Sequence, residues 1–286
     1  MKTAVVITGA SRGFGRCLAL DFCREIADSD IDMHLWARSA SDLQETERLV
    51  QEAWCERTTT DRHTLRTFMT AVDLALHSDY APRLDALLGQ LQEVAYDRVY
   101  VVHNAGSLGD LCFSHEWASH EQLTAFWELN VTSLLWLNKR FLDVYGASRE
   151  QLTDVMPSSP SPPVLTLLNI TSLCAIEPFS THGLYCTSKA AREMHLRVIS
   201  KEQPATKVRV LSYSPGPMDT DMQKTIRESP RVDRALGDMY ATMHAEGRLI
   251  PPAVSSRLGV QLTLSDAFEN GAHVDYYDIA PTTADA

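Results

Sequence analysis

The sequence predicts a single α/β domain in which a doubly wound parallel sheet carries helices on both faces. Three observations predict it. Strand-like and helix-like stretches alternate from Thr3 onward, a glycine-rich turn joins the first pair, and 286 residues at 44% apolar composition can cover both faces of such a sheet. Two independent domains would need a linker and two separate hydrophobic patterns, and neither is visible.

Thr3–Thr8 is a short apolar run rich in β-branched residues, as expected of a strand buried on both faces. Leu18, Phe22 and Ile26 then recur every four residues and give a helix one apolar stripe to lay on the sheet. Further strands are expected at Asp32–Ala37, Thr67–Val72, Arg98–His103, Val164–Ile170, Val208–Tyr213 and Ala272–Val274. Helices are expected over Ala40–Glu56, Pro82–Val94, Glu121–Tyr145 and Leu184–Lys201. Strands spaced by helices require right-handed crossovers, and so a parallel sheet. The polar, Thr-rich stretch Cys55–Thr64 and the stretch Ser148–Pro163, which holds four prolines, read as surface insertions.

Composition excludes several function classes. A formal net charge of −11 argues against the clustered basic face that nucleic acid requires. No apolar run approaches the roughly 20 residues that span a bilayer, so no membrane segment is expected. Met1-Lys2 leads almost directly into a strand, leaving no room for a secretory signal. The six cysteines, at 17, 23, 55, 112, 174 and 186, include no C-x-x-C pair and read as free thiols of a reducing, cytoplasmic compartment. His115 and His120 have no paired carboxylate or cysteine cluster, so no metal site is expected.

The first strand ends in Thr8-Gly9-Ala10-Ser11-Arg12-Gly13-Phe14-Gly15, and a helix follows. Glycines here allow a tight turn and close approach of backbone to a pyrophosphate facing the helix N-terminus, which is the dinucleotide site of a Rossmann-type fold. At the end of the second strand, Ala37-Arg38-Ser39 stands where a carboxylate would hold the ribose hydroxyls of NAD. Arg38, helped by Arg12, can instead hold a 2′-phosphate, so the expected cofactor is NADPH. Asp73 can accept from the adenine amino group, and Asn104-Ala105-Gly106 follows the fourth strand at the ligand crevice. Pro215-Gly216-Pro217-Met218 follows the sixth strand, where a nicotinamide carboxamide belongs; Asp221–Pro251 then reads as a largely helical lid over the substrate.

Ser172 follows the fifth strand, and thirteen residues later come Tyr185 and Lys189, i and i+4 on one helical face. Reducing a ketone puts a hydride on carbon and a proton on oxygen. Tyr185 can supply the proton, with its phenol expected to be lowered by the neighbouring ammonium. Ser172 can hydrogen-bond the carbonyl oxygen. Asn130 lies in an expected helix interior where Asn is disfavoured, which points to holding a water that relays protons to Lys189. Cys174 and Met218 are candidates for the substrate wall, and a small buried hydrophobe or a gap-filler is the plain alternative for each.

Together the segments TGASRGFGR, NAGSLGD, NITSLCAIEPF, LYCTSKAAREM, SPGPMDTDMQ and GAHVDYYD resemble the short-chain dehydrogenase/reductase family over nearly the whole chain. The resemblance is strongest to members that reduce the side-chain carbonyl of a pterin, either sepiapterin or 6-pyruvoyl-tetrahydropterin, in tetrahydrobiopterin synthesis. It implies that Ser172, Tyr185, Lys189 and Asn130 fill the catalytic positions. It also implies cofactor positions at Gly9, Ser11, Arg12, Phe14, Arg38, Asp73 and Asn104, a pterin anchor at Asp275, and a homodimer joined through helices of the central region. The chain departs from the family pattern at the two insertions and at His103, where many relatives carry Asn. A general NADPH carbonyl reductase of diketones, quinones or steroids is the alternative enzyme. A non-catalytic NADP sensor is the alternative of another class, and the full Ser–Tyr–Lys set argues against it.

Overall fold

The computed structural model describes residues 1–57, 62–153 and 164–281, so parts of both expected insertions, 58–61 and 154–163, lie outside the described residues. Seven parallel strands form the sheet: β1 (Lys2–Thr8), β2 (Asp30–Ala37), β3 (Leu65–Ala71), β4 (Arg98–His103), β5 (Leu165–Ile170), β6 (Val208–Ser214) and β7 (Ala272–Asp275). Their order is β3-β2-β1-β4-β5-β6-β7. The chain runs outward on one side of β1 and then returns to continue on the other. The order therefore reverses between β1 and β4, and a ligand crevice is expected at their carboxyl ends.

Alternate residues of each central strand enter two different cores, which is why the strand sequences read as unbroken apolar runs. Val5 and Ile7, with Met33, Leu35, Val102 and Leu168, face one layer of helices: α1 (Gly13–Glu25), α2 (Ala40–Cys55) and, near the carboxyl end of the chain, α10 (Pro252–Ser265). Ala4 and Val6, with Val99, Val101, Leu165 and Leu167, face the other layer: α3 (His77–Gln92), α5 (Ser133–Tyr145) and α7 (Gly183–Glu202). Shorter helices complete the chain: α4 (His120–Trp127), α6 (Arg149–Thr153), α8 (Asp221–Glu228), α9 (Arg234–Ala245) and α11 (Tyr276–Ile279).

Two expected elements change and one unexpected helix is present. The helix expected over Glu121–Tyr145 is interrupted between α4 and α5 by a π-helical turn, Glu128–Thr132, that contains Asn130. Helix α3 begins at His77, so Pro82 sits inside it rather than at its start. Helix α10 has no counterpart in the sequence reading. Its buried face is made of Ser255, Ser256, Gly259, Val260 and Thr263, too polar and small to form an apolar stripe.

Gly259 lets α10 lie directly on the sheet. A Cβ there would come within 2.6 Å of the ring of Tyr213, whose hydroxyl donates to the Ser255 carbonyl and which is fully buried. The ring has nowhere to move, so Gly259→Ala is expected to destabilise the fold by ~1–3 kcal/mol. Urea unfolding should show a lowered midpoint, and an unchanged midpoint would mean that the α10 packing is loose.

Candidate active site

A cleft of about 670 Å³ opens at the carboxyl ends of β1 and β4. The turn after β1 forms one wall. Gly9 sits at φ +69°, a conformation that disfavours side chains, and a Cβ on Gly15 would lie 2.1 Å from the Gly9 carbonyl oxygen. The turn is held by neighbours rather than by its own sequence. The Asn104 amide donates to the carbonyls of Thr8 and Gly9, both at 3.1 Å. Thr46 Oγ1 donates to Ala10 O at 3.0 Å, and Arg16 donates to Ser11 O at 2.6 Å. Helix α1 starts here with no side-chain cap and no acidic residue in its first turn, unlike α2, which Ser39 caps. Its free N–H groups and positive dipole end therefore face the cleft, and the backbone leaves no room for a Cβ. Both features fit the pyrophosphate of a dinucleotide.

Of the residues expected to bind cofactor, Gly9, Ser11, Arg12, Gly13, Phe14, Gly15, Arg38, Asp73, Asn104, Ala105, Gly106, Tyr185, Lys189, Pro215 and Met218 all line this cleft. Several have a second occupation. Arg12 pairs with Asp221 at the start of α8, at 3.0 Å, across the mouth of the cleft. Asp73 Oδ1 accepts from Ala75 N at 2.9 Å and shapes the turn into α3. The side chain of Asn104 is spent on the glycine turn, so only the rest of the residue can face a ligand. Arg38 is exposed, and Trp36, Ser39 and Asp42 line the cleft beside it. Gly216 lies outside the lining residues. It occupies φ +73° in a turn where α11 and Ile250 close over it, with Tyr276 Cβ 3.6 Å from where its Cβ would stand.

Tyr185 and Lys189 reach the cleft from the start of α7. Lys189 is buried, donates to Ile170 O at 2.7 Å, and holds its Nζ 5.4 Å from the centre of the Tyr185 ring. The phenol is not lowered as expected, because burial outweighs the neighbouring ammonium. Burial, with Cys174 close by, pushes Tyr185 above the ordinary phenol range. Burial, with Arg192 one turn further along α7, draws Lys189 well below the ordinary ammonium range. A raised phenol keeps its proton throughout the neutral range, which suits a group that must give one up to a substrate oxygen.

Ser172, Asn130, Cys174 and Asp275 are not among the residues lining the cleft. Ser172 ends the β5 segment and its Oγ accepts from Cys174 N at 3.2 Å, capping a single 3-10 turn, Leu173–Ala175, that packs against α7. Cys174 is buried beside Tyr185 and Cys186. Asn130 is buried and both ends of its amide are used: Oδ1 accepts from Ser107 N at 2.8 Å, and Nδ2 donates to Phe126 O at 3.0 Å. Asp275 pairs with Ser214 in the β6–β7 register. Its Oδ2 accepts from Ser214 Oγ at 2.6 Å and its Oδ1 accepts from Tyr277 N at 3.0 Å, so it also caps α11.

The lid expected at Asp221–Pro251 consists of α8 and α9, and its ends are stitched together: Ile250 N donates to Pro217 O at 2.9 Å and Asp219 N donates to Ile250 O at 3.1 Å. Val232, Ile226 and Leu236 of this segment pack with Tyr185, Leu108 and Leu111 at the Tyr185 end of the cleft. Two residues of this region give no signal in the sequence. Thr181, β-branched yet at φ +61°, accepts from Asp233 N at 3.0 Å and ties the lid to the segment before α7. Tyr240 on α9 is raised to about 12, chiefly by burial, and sits near Tyr185, Cys174 and Cys186. Among the described residues no group of histidine, cysteine and carboxylate side chains is arranged to hold a metal, and no helix is long and apolar enough to cross a membrane.

Comparison with known proteins agrees with this geometry. The sequence profile of the short chain dehydrogenase family matches residues 3–231. Sepiapterin reductase of Meriones unguiculatus is 37% identical over 274 residues, 96% of this chain and 95% of that protein. Sepiapterin reductase of Bos taurus is 35% identical over 280 residues, 97% of this chain and 95% of that protein. The crystal structure of the KRED1-Pglu enzyme superposes with a TM-score of 0.74 at 24% identity, covering 96% of this chain and all of that one.

Proposed function

This chain belongs to the short-chain dehydrogenase family, and from that premise we propose that it uses NADPH to reduce the side-chain carbonyl of a pterin, sepiapterin or 6-pyruvoyl-tetrahydropterin. The observation that carries the reading is that Tyr185 and Lys189 line the same cleft as the glycine turn and Arg38. A proton donor and a dinucleotide cradle thus share one cavity. Full-length likeness to sepiapterin reductases supplies the substrate class.

NADPH, when bound, supplies the hydride. The residues of this chain do the rest. The first turn of α1 and the glycine turn hold the pyrophosphate, while Arg38 and Arg12 hold the 2′-phosphate; Arg12 must exchange its bond to Asp221 to do so. Tyr185 gives its proton to the carbonyl oxygen, and Ser172 donates a hydrogen bond to the same oxygen as charge develops there. Lys189 holds the ribose hydroxyls beside Tyr185, and Asn130 fixes the π-helical turn against the loop that follows β4. The lid covers Tyr185 and excludes water from the reacting carbonyl. Met218 forms part of the substrate wall, and Cys174 is buried beside Tyr185.

Asp275 is the pterin anchor in this reading. A carboxylate has about four lone-pair sites; Ser214 and the backbone N–H groups of Tyr277 and Asp278 take three, so the 2-amino group and N3–H of a pterin would share the carboxylate with the cap on α11. Asp275→Asn is the clean test, because Asn keeps an acceptor for Tyr277 N and a partner for Ser214, so the cap on α11 survives. Loss of the charge-assisted pair costs ~1.5–3 kcal/mol, so KM for sepiapterin is expected to rise by one to two powers of ten. NADPH affinity and reduction of a small diketone should stay near wild type. Equal losses on both substrates would assign Asp275 to folding, and no loss on either would favour a general carbonyl reductase.

The proposal includes a cytoplasmic homodimer. Exposed apolar side chains on two central helices, Met194 and Val198 one turn apart on α7 and Trp136 on α5, support an interface there.

A further inference from the structure

Arg192 is among the largest fully buried side chains of the protein, and among the described residues no carboxylate pairs with it. A buried cation without a counter-charge is costly, and a chain keeps one when its hydrogen bonds or its charge serve a purpose. Each nitrogen of the guanidinium meets a different acceptor. Nε donates to Asn169 Oδ1 at 3.1 Å, Nη1 to Ala105 O at 3.0 Å and Nη2 to His103 O at 2.6 Å. Asn169 is itself anchored to β6, its amide donating to Ser212 Oγ at 3.2 Å, and His103 Nε2 lies 2.6 Å from Asn138 Oδ1 on α5. The carbonyls that Arg192 holds belong to the segment 103–106, whose Asn104, Ala105 and Gly106 line the cleft. Asn130 holds the next residue, Ser107, through its N–H, and a Cβ on Gly106 would stand 3.2 Å from Asn130 Oδ1 and 3.6 Å from Arg192 Nη1. Two buried side chains thus hold the loop.

Tyr185, Lys189 and Arg192 fall at i, i+4 and i+7, one face of α7. We propose that Arg192 is a positioning residue for the reduction: its fork fixes the loop after β4 against the cofactor, and its positive charge one turn from Lys189 acts on the electrostatics of the proton donor. This inference rests on the reading of Tyr185 and Lys189 given above.

The other charged and titratable groups facing the pair are Cys174 from the 3-10 turn, Tyr240 from the lid, and Cys186 and Glu193 on α7 itself. The carboxylate of Glu193 is already engaged, accepting from Thr171 Oγ1 at 2.9 Å and lying 2.9 Å from His273 Nδ1, so it offsets Arg192 only in part. A second cation beside Lys189 opposes its protonation. Removing the charge of Arg192 therefore lets Lys189 keep its proton to higher pH.

The experiment is the pH profile of kcat/KM for sepiapterin reduction, with KM for NADPH, in wild type, Arg192→Gln, Arg192→Lys and Tyr185→Phe. Arg192→Gln is expected to move the basic limb upward by about one pH unit. It should also raise KM for NADPH about tenfold, as one charge-assisted hydrogen bond's worth of loop ordering is lost. Arg192→Lys removes the fork while leaving a titratable cation at the same buried place, so KM for NADPH should rise and the basic limb should lie between those of wild type and Arg192→Gln. An unmoved limb in Arg192→Gln would overturn the electrostatic role, since a merely structural residue alters rate without moving the profile. Should Arg192→Gln fail to fold, Arg192→Lys carries the test, and a wild-type KM for NADPH in that variant would overturn the loop-holding role. Collapse of Tyr185→Phe alongside unaffected Arg192 variants sinks only this inference; full turnover in Tyr185→Phe sinks the reading beneath it.

Discussion

Tyr185→Phe is expected to fold, to bind NADPH, and to lose turnover by ~10²–10⁴-fold, the usual contribution of a positioned general acid. The substitution keeps the ring that packs with Leu108, Leu111 and Val232 and removes only the hydroxyl. The raised phenol has no bond to Lys189, whose ammonium donates to Ile170 O instead, so little structure depends on the lost oxygen. Cofactor binding, followed by fluorescence titration with NADPH, should stay close to wild type. Single-turnover oxidation of NADPH in the presence of sepiapterin should carry the loss. An unchanged single-turnover rate would mean that the proton comes from another group, and Tyr240, on the lid beside Tyr185, would be the first to examine.

Arg38→Asp should reverse the cofactor preference. Arg38 is exposed at the cleft edge after β2 and is free to turn toward a 2′-phosphate, whereas Arg12 is held by Asp221. Replacing a guanidinium with a carboxylate removes an attraction of ~1.5–3 kcal/mol and adds a repulsion of comparable size toward a phosphate. The same carboxylate can accept from the ribose hydroxyls of NADH. The ratio of kcat/KM for NADPH over NADH should fall by about 10²–10³-fold. A ratio that stays put would assign the 2′-phosphate to Arg12 alone. A smaller fall, restored to the full effect by Arg12→Ala in the same chain, would show that the two arginines share it.

Much of this architecture is legible in the amino acids because a doubly buried strand has few alternatives. The expected strands lie within two residues of the observed ones, β3 excepted in its character: as the edge of the sheet it leaves Phe68 and Met69 exposed. The residues that line the cleft after β1, β2 and β4 are readable for the same reason. They sit in turns directly after strands, where sequence position and place in space coincide. What was hidden depends on contacts between distant parts of the chain. Nothing in the sequence singles out Arg192, and only the approach of the loop after β4 shows it as a buried side chain holding that loop. Thr181 carries no mark of its left-handed backbone. Helix α10 hides because serine, threonine and glycine form its buried face. Asn130 was half legible: its poor helix propensity was a signal, but the π-helical turn that explains it needs the fold. Tyr185 stands above rather than below the ordinary phenol range because adjacency on a helix is visible in a sequence and burial is not.

The most direct test is the rate of NADPH oxidation by the wild-type protein with sepiapterin, a simple diketone and a steroid ketone, each over a range of concentrations. A pterin reductase that uses Asp275 as its anchor should show kcat/KM for sepiapterin at least tenfold above the other two, with the Asp275→Asn loss confined to sepiapterin. Equal or higher kcat/KM for the diketone or the steroid would contradict the pterin assignment and leave a general NADPH carbonyl reductase on the same Ser172–Tyr185–Lys189 site.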